Sequence, residues 1–366
     1  MQCKTISVLI ASVLSLSCAS QPAPTSQSEG PQMMTKLRVE RVGDGPLIHP
    51  GLDLSIGNNI QGPSLIAVPD WVENRLGNYY LYFADHKGAY IRLAYADALT
   101  GPWRIHVPGA LQLPDSHFLT APPPVSKAQA EQIRAAFVAR GMKISHDPVA
   151  EVTAPHIASP DVHVDEARRR IVMYFHGLED VGYQVTRVAT SRDGIAFSAH
   201  PEVLGRTYFR AFDWQGTRYG MAMPGQFYRL ADDMGPFEEG PLLFNQDMRH
   251  AALLVRDDEL LVFWTQVGEV PEHIKVSSID LTEDWRTWKA SAGVEVLRPE
   301  RVWEGARAPL TPSVRSTAYG LVNQLRDPAI FVQGEDVYLL YAYGGESGIG
   351  LARVIFDQVA AGEPGG

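Results

Sequence analysis

The sequence predicts an all-β fold: a five-bladed β-propeller closed by an N-terminal strand and carrying one helical insertion. A unit of short apolar and aromatic strands recurs five times from residue 37 onward, where long helical periodicity is scarce. Glycine (32) and proline (26) are abundant, as expected of a chain with many turns. Five four-stranded units around an axis form a propeller, and an open Greek-key sandwich is the alternative.

Composition and charge exclude several classes of protein. Of the 366 residues, 45% are hydrophobic and 20% are charged, which excludes a disordered chain and a polytopic membrane protein. The 32 Lys and Arg against 42 Asp and Glu give a net charge of −10. Phosphate contacts need clustered basic residues, so we expect no nucleic-acid partner.

The first 18 residues are predicted to be a signal peptide. Lys4 precedes an apolar run that is too short to span a bilayer. The segment Leu14-Ser15-Leu16-Ser17-Cys18 resembles a bacterial lipoprotein box, which implies lipidation of Cys18; an ordinary signal peptide is the alternative. We therefore expect an exported protein, lipid-anchored to the bacterial cell envelope or secreted, which contacts the membrane only through its anchor.

The rest of the chain divides into three predicted segments. Residues 19–36 are a Ser-, Pro- and Gln-rich flexible tether, residues 37–356 are the propeller and residues 357–366 are a tail. Cys3 and Cys18 are the only cysteines, so the propeller has no disulfide, thiol nucleophile or cysteine metal site.

Each blade begins with a short strand opened by a polar residue, followed by an aromatic-rich strand and a strand ending in a turn. A fourth strand usually follows an aromatic residue. The predicted strands are 61–66, 78–83, 91–95 and 110–113; 159–164, 170–175, 185–189 and 202–204; 208–212, 218–222, 226–229 and 241–244; 248–254, 260–264 and 294–297; and 325–331, 337–341 and 349–352. The fifth blade lacks a fourth strand; residues 37–42 are predicted to supply it and close the ring.

Two insertions interrupt the repeat. Residues 114–157 contain a predicted helix that begins with a capping box between Ser126 and Gln129 and ends at Gly141. Residues 298–324 form a connector rich in Pro, Arg and Glu. Long insertions on a rigid scaffold often shape a binding site.

Residues 325–331 with 338–341, and residues 159–164 with 173–175, resemble the five-bladed propeller glycoside hydrolases of the arabinanase, xylosidase and fructosidase group (family 43-like). The resemblance covers residues 37–356. It implies an oligo- or polysaccharide substrate, acidic residues where innermost strands begin near the axis, and no cofactor, although a structural calcium ion at the centre is compatible with it. This chain has Gly62-Pro63-Ser64 where the group usually has Asp-Pro-Ser, so the expected first-blade base is absent.

Glycosidic cleavage needs two carboxyl groups on opposite sides of the bond. Asp161 and Asp327 are the predicted pair, facing each other across the axis, with Glu346 as acid or pKa modulator and Asp85 in reserve. Glu239 precedes Gly240-Pro241 in an outer-strand position and is not selected. The residues predicted to bind substrate hydroxyls or a sugar carboxylate are Asn59, Gln61, His86, Arg210, Arg249, His250 and Arg326.

These residues also have structural interpretations. An Asp beside Pro caps turns, a buried Arg neutralises a carboxylate, a His packs in the core, and Glu346 fits a solvated turn tip. No His-x-x-x-His pair or carboxylate cluster indicates a zinc site.

The sequence therefore favours an exported glycoside hydrolase with its site at the propeller axis. Basic residues at the axis of an acidic protein suggest an anionic sugar. One alternative is a non-catalytic glycan-binding surface lipoprotein, which the missing first-blade acid favours. The other is a lyase or phosphorylase on the same scaffold.

Overall fold

Five four-stranded antiparallel sheets contain all twenty strands of the residues that the structure describes. The structure is a computed structural model, and it describes residues 35–142, 144, 146–230 and 237–357. Each sheet is one blade, which confirms the predicted five-bladed propeller. Cys3, Cys18, the predicted signal peptide and most of the predicted tether and tail lie outside the described residues.

The strands follow one another blade by blade along the chain. Strand β1 is Leu37–Arg41. Blade 1 contains β2 (Gln61–Ala67), β3 (Tyr79–Ala84), β4 (Tyr90–Ala96) and β5 (Arg104–Gln112). Blade 2 contains β6 (Ile157–Asp165), β7 (Arg170–Asp180), β8 (Tyr183–Ser191) and β9 (Ser198–Ala199). Blade 3 contains β10 (Arg210–Trp214), β11 (Thr217–Ala222), β12 (Gln226–Leu230) and β13 (Phe237–Leu242).

The last two blades complete the ring. Blade 4 contains β14 (Met248–Arg256), β15 (Glu259–Gln266), β16 (Ile274–Asp280) and β17 (Val294–Leu297). Blade 5 contains β18 (Leu325–Gln333), β19 (Asp336–Tyr343) and β20 (Ile349–Phe356). Strand β1 pairs with β20, from Leu37 opposite Phe356 to Arg41 opposite Ala352. The N-terminal strand therefore closes the ring as predicted, and the backbone N–H of Asp357 donates to the Lys36 carbonyl at 3.0 Å beyond this pairing.

Apolar side chains fill the space between every two neighbouring blades. Tyr82 of blade 1 packs edge-on against Phe197 of blade 2 with ring centroids 5.8 Å apart. Phe83 of blade 1 shares a cluster with Leu340 of blade 5. Each fully buried side chain of this size contributes about 1.5 to 3 kcal/mol to folding. These contacts hold the innermost strands β2, β6, β10, β14 and β18 in a ring.

The innermost strands begin irregularly, and their openings form two layers. In three of these strands the pairing with the neighbouring strand is interrupted for two residues, which form an X-Pro dipeptide. The interruption lies between Gln61 and Ser64 in β2, between Ala158 and Asp161 in β6, and between Arg326 and Ala329 in β18. Four residues at these openings have left-handed backbones; we name them the opening layer: Gly62 (φ 62°), Ser159 (φ 50°), Tyr208 (φ 55°) and Asp327 (φ 45°). Two residues further on, the second layer comprises Ser64, Asp161, Arg210 and Ala329.

Three predicted outer strands are wrong in position. In blade 1, β5 begins at Arg104, six residues before the predicted start at Ala110. In blade 2, residues 202–204 are not a strand, and β9 is a two-residue strand that ends before Pro201. Proline lacks the N–H that a ladder requires, which explains why regular pairing stops there. In blade 3, β13 begins at Phe237, four residues before the predicted start at Pro241.

The first insertion contains two helices, of which one was predicted. Helix α1 (Lys127–Ala139) begins with the predicted capping box of Ser126 and Gln129. Helix α2 (Pro148–Thr153), capped by Asp147, was not predicted. No helix within the described ranges has the length and apolar character needed to cross a bilayer.

Candidate active site

Glu346 lies in the turn between β19 and β20, and its carboxylate is fully enclosed. Asn59 Nδ2 donates to Oε2 at 2.7 Å, and Arg326 Nη1 donates to Oε1 at 2.8 Å. His86 Nδ1 lies 3.3 Å from the same Oε1. Burial alone would raise the pKa of Glu346, but His86, Arg326 and Asn59 outweigh burial and lower the pKa to about 2. Glu346 is therefore ionised and is not a solvated turn tip.

Asp327 presents the opposite electrostatic situation. Its side chain is 0% exposed, and no described residue donates a hydrogen bond to either carboxylate oxygen. His250 Nε2 lies 3.4 Å from Oδ1, and the Asp327 N–H points to His250 Nδ1 at 3.4 Å. Burial, and then the charge of Glu346, raise the pKa of Asp327 to about 7. Asp327 and Glu346 are thus two axial carboxyl groups in different protonation states near neutrality.

Three further charged side chains surround this pair. Arg249 Nε donates to Glu272 Oε1 at 2.9 Å, and its Nη2 contacts Oε2. Arg326 Nε lies 3.5 Å from Glu272 Oε2. Burial would raise the pKa of Glu272, but Arg249 and then Arg326 hold it below its usual value. Glu272 was not predicted; its only sequence signal is its place beside Pro271 in the loop after β15.

Tyr208 of the opening layer lies between two imidazoles. Its ring centroid is 4.6 Å from that of His176 and 4.7 Å from that of His250. Burial raises the pKa of Tyr208, with Asp327 adding to the effect. Burial also lowers the pKa of both histidines, and Arg249 lowers that of His250 further. The site therefore contains two neutral imidazoles and a neutral phenol, and neither Tyr208 nor His176 was selected from the sequence.

Residues 313–319 of the second insertion, which we name the covering segment, lie over this group. Arg249 Nη1 donates to the Val314 carbonyl at 3.1 Å, and Arg326 Nη1 donates to the Ser316 carbonyl at 3.2 Å. Asn59 Nδ2 also reaches the Ala318 carbonyl at 3.5 Å. Three predicted substrate-binding residues therefore hold a backbone segment over the axis.

The two insertions meet at the outer end of the covering segment. Tyr319 is 62% exposed, and its ring lies edge-on to that of His146, with centroids 6.4 Å apart. His146 Nε2 is 2.6 Å from Glu151 Oε2, and Lys87 Nζ is 3.5 Å from Glu151 Oε1. The carbonyl of the preceding residue, Ala318, accepts from Asn59, which also donates to Glu346, so Tyr319 follows directly on a contact with the axial group.

The predicted pairing of Asp161 with Asp327 is not formed. Asp161 belongs to the second layer, where its Oδ2 accepts from His163 Nε2 at 2.7 Å and from the Ala211 N–H at 2.8 Å. The counterpart of Asp327 in blade 2 is Ser159, because the X-Pro skip places Asp161 two residues further along the strand. Asp161 lines a separate axial cavity that does not include Asp327.

The other selected residues divide between the two layers. Asn59, His86, Arg249, His250 and Arg326 surround Glu346, Asp327 and Glu272. Gln61 Oε1 accepts from the Ser159 hydroxyl at 3.3 Å beside them. Arg210 lies with Asp161 in the second layer, and its Nε donates to the Ala251 carbonyl at 2.9 Å.

The reserve candidate Asp85 and the unselected Glu239 have other partners. Asp85 is partly exposed and lies 3.5 Å from Arg92 Nη2. Glu239 lies on the outer strand β13, where it is 56% exposed and binds Arg206.

The axial residues do not fit a structural calcium ion. Calcium takes six to eight oxygen ligands, whereas Glu346 and Glu272 already bind arginines. Within the described part of the chain, no group of three or more His, Cys, Asp and Glu side chains is placed to hold a metal ion.

Fold and site together define a five-bladed propeller with an enclosed polar site where its innermost strands begin. No known protein-family profile matches the chain. It is 34% identical over 322 residues to the uncharacterized protein R118 of Acanthamoeba polyphaga mimivirus, covering 81% of this chain and 83% of that protein. The chain belongs to the same family as this viral protein.

Glycoside hydrolases are among the solved structures that are similar to this chain. A family 43 β-xylosidase/α-arabinofuranosidase from a compost microbial metagenome, solved with xylotriose, has a TM-score of 0.52 at 12% identity, covering 87% of this chain and 94% of that one. An exo-β-1,3-galactanase of Phanerochaete chrysosporium, solved with β-1,3-galactotriose, has a TM-score of 0.51 at 14% identity. That match covers 89% of this chain, which spans 65% of the galactanase chain. At these identities the likeness establishes the fold alone.

Proposed function

We propose that the protein is a glycoside hydrolase that cleaves oligo- or polysaccharides at the axial site. The observation that carries this proposal is the axial pair of carboxyl groups whose surroundings separate their pKa values, about 7 for Asp327 and about 2 for Glu346. A pair of this kind provides a proton donor beside a permanent negative charge, as acid-catalysed glycoside cleavage requires. The shared fold with family 43 enzymes adds support by analogy.

In this mechanism Asp327 is the general acid. Its proton passes to the oxygen of the departing sugar as the glycosidic bond breaks. Water then adds its hydroxyl group to the anomeric carbon, and the remaining proton of that water returns to Asp327. Glu346 stays ionised, stabilises the positive charge that develops on the sugar ring and keeps the pKa of Asp327 raised. Glu346 was predicted to be either the acid or a pKa modulator, and this mechanism gives it the second role.

Access to Asp327 requires movement of the covering segment. Asp327 and Glu346 are 0% and 1% exposed, so a sugar reaches them only when residues 313–319 are displaced. The segment is anchored where it begins, because the backbone of Ser313 pairs with Gly268 and Glu269. Three hydrogen bonds also run from axial side chains to carbonyl groups of the segment. Sugar hydroxyls can accept from the same donors, so displacement exchanges these hydrogen bonds instead of losing them.

The arrangement favours a neutral sugar over the anionic sugar suggested by the sequence. Arg249 and Arg326 bind Glu272, Glu346, Gln324 and the covering segment. A sugar carboxylate would have to displace a buried carboxylate from these arginines, which is costly.

Export remains part of the proposal and depends on residues 1–18 alone. We expect Cys18 to carry the lipid that anchors the protein to the cell envelope. Mass spectrometry of the mature N-terminus, with Cys18→Ser as control, tests this: an unmodified N-terminus at another residue would leave the ordinary signal peptide as the explanation.

Glycan binding without catalysis is the second candidate. The observation in its favour is that the opening layer contains one acid, Asp327, where Gly62, Ser159 and Tyr208 occupy the corresponding places. A lyase is disfavoured because burial raises the pKa of Tyr208, which opposes its use as a base. A phosphorylase is disfavoured because Arg249 and Arg326 already bind buried acids.

The test is product release from neutral and acidic plant and algal oligosaccharides by the purified protein. Asp327→Asn preserves the shape of the side chain and removes its proton. The matched control is Asp336→Asn, a carboxylate of the same blade that is 43% exposed and pairs with Arg353. We expect wild type and Asp336→Asn to release sugar and Asp327→Asn to be inactive. Binding without turnover in all three proteins would favour the second candidate, and full activity of Asp327→Asn would contradict the assignment of the acid.

A further inference from the structure

The second layer surrounds a cavity of about 380 Å³ that is distinct from the candidate active site. All five innermost strands line it, from the second layer towards their carboxyl ends. Its wall combines apolar side chains, among them Ile66, Val164, Leu253 and Ile330, with polar and charged groups. Because Asp327, Glu346 and His250 are not part of this wall, the cavity is a separate feature of the propeller axis.

Three polar side chains of the wall leave hydrogen-bonding atoms without partners among the described residues. Asp161 uses Oδ2 to accept from His163 and Ala211, which leaves Oδ1 free. Arg210 uses Nε and Nη1 for backbone carbonyls, which leaves Nη2 free. His163 uses Nε2 for Asp161, which leaves Nδ1 free.

These atoms form a fixed arrangement. Arg210 is 4% exposed, and its carbonyl contacts fix the guanidinium in place. The Ala211 N–H fixes the Asp161 carboxylate, which in turn orients His163. The side chains are thus positioned before any ligand binds, which reduces the entropic cost of binding.

The charges of the wall select the class of ligand. The pKa of Asp161 is held low by His163 and Arg210 despite burial, so the carboxylate is ionised and accepts only. Arg210 donates only, and His163 offers its second ring nitrogen, Nδ1, for a further hydrogen bond. Asp161 would repel an anion, and Arg210 would repel a cation. Neighbouring hydroxyl groups both donate and accept, so they can form hydrogen bonds with Asp161, Arg210 and His163.

We propose that this cavity is a second binding site, for a neutral polyhydroxylated molecule the size of a monosaccharide, held by Asp161, His163 and Arg210. Its volume lies within the range of small-molecule sites. The apolar side chains of the wall would contact the C–H face of the ring. The proposal uses none of the residues assigned to glycoside cleavage, so it holds or fails independently of the proposed hydrolase.

The probes are D-galactose, D-xylose and D-galacturonate, titrated into the full-length protein. Two-dimensional ¹H–¹³C spectra of the histidine rings report the binding, with the His163 signal assigned by its absence in His163→Gln. We expect saturable, millimolar binding of the neutral sugars that shifts the His163 signal, and binding of galacturonate that is weaker by tenfold or more. Equal binding of galacturonate would overturn the assignment of a neutral ligand.

Two variants localise the binding. Asp161→Asn retains an oxygen for the Ala211 N–H but loses the charge, and we expect affinity to fall about tenfold or more. Ala67→Trp places a large ring at the exposed edge of the cavity, where it does not disturb the core, and we expect it to abolish binding. The matched control Asp336→Asn should bind as wild type does. Sugar binding that survives both Asp161→Asn and Ala67→Trp, or no binding by wild type, would overturn the proposal.

Discussion

Asp327 couples the protonation of one side chain to the stability of the fold. Its pKa of about 7 lies above the ordinary value of 3.8. The protonated form therefore favours the folded state, and its stabilising contribution, complete below about pH 4, is lost as pH rises through 7. We expect Asp327→Asn, which does not ionise, to be more stable than wild type at pH 8 and to lose that advantage towards pH 4. Urea unfolding at several pH values measures the difference; an advantage that grows at low pH would contradict it.

The catalytic role of Asp327 leads to a separate prediction. We expect kcat/KM of wild type to fall above about pH 7, where Asp327 loses its proton. We expect Asp327→Asn to lower kcat by roughly 10²- to 10⁴-fold on natural oligosaccharides. A 4-nitrophenyl glycoside needs little protonation of its leaving group, so the variant should lose much less on that substrate. Equal losses on both substrates would indicate a structural role for Asp327.

Tyr319 is an exposed aromatic side chain at the outer end of the covering segment. Its open ring offers a stacking surface to a sugar, so we expect Tyr319→Ala to raise KM by about three- to tenfold with a smaller change in kcat. Tyr319→Phe should retain wild-type values. The matched control is Tyr183→Ala, because Tyr183 is 57% exposed and takes no part in the axial site. Similar effects of both alanine variants on KM would exclude a specific stacking role.

At the scale of the strand, the X-Pro openings fix the register that separates the two layers. A Cβ added at Gly62 would lie 2.9 Å from Ser159 Cα and would occupy a left-handed backbone. Gly43 has a left-handed backbone too (φ 78°), but nothing lies within 4 Å of its added Cβ. We expect Gly43→Ala to cost about 1 to 2 kcal/mol and Gly62→Ala to cost clearly more, as measured by chemical unfolding. Equal costs would show that neighbouring openings are not in contact.

The sequence predicted elements better than it predicted register. The fivefold strand pattern, the closing strand and the capping box of α1 follow from local periodicity and local hydrogen bonds, and all three are confirmed. The pairing of Asp161 with Asp327 failed because Ser-Pro-Asp and Arg-Asp-Pro place their acids on different sides of the proline. This two-residue offset is visible in the sequence once the two prolines are aligned, and the strand pairing of β6 and β18 shows the same offset in the fold.

The site was predicted in part for the same reason. Asp327, Arg326 and His250 open innermost strands and were identified because all openings converge on the axis. Tyr208 was read as an ordinary aromatic of a strand, since its left-handed backbone appears only in the folded chain. Glu272 and Tyr319 belong to loops, whose path over the axis depends on tertiary contacts.

At the scale of the molecule, stability depends on the pairing of β1 with β20. Leu37 and Val39 pack against the cluster shared by blades 4 and 5. A protein beginning at Gly43 loses these contacts, each worth about 1 kcal/mol for a half-buried side chain, and exposes the edge of β20. We expect its Tm to fall by several degrees and its tendency to self-associate to rise, relative to a protein beginning at Thr35. Calorimetry with light scattering measures both, and an unchanged Tm would mean that the ring is stable without closure.

The hydrogen bond from Asp357 to the Lys36 carbonyl brings the ends of the propeller side by side. The propeller is therefore almost a circle of protein interrupted at one place, and the interruption falls within blade 5. A circular permutant that joins these ends through a short peptide and begins instead in the loop after β13 would make blade 5 from one continuous stretch of chain. Such a molecule would carry the same axis with its ends at a different blade, and its folding would show whether the place of the interruption matters to the ring.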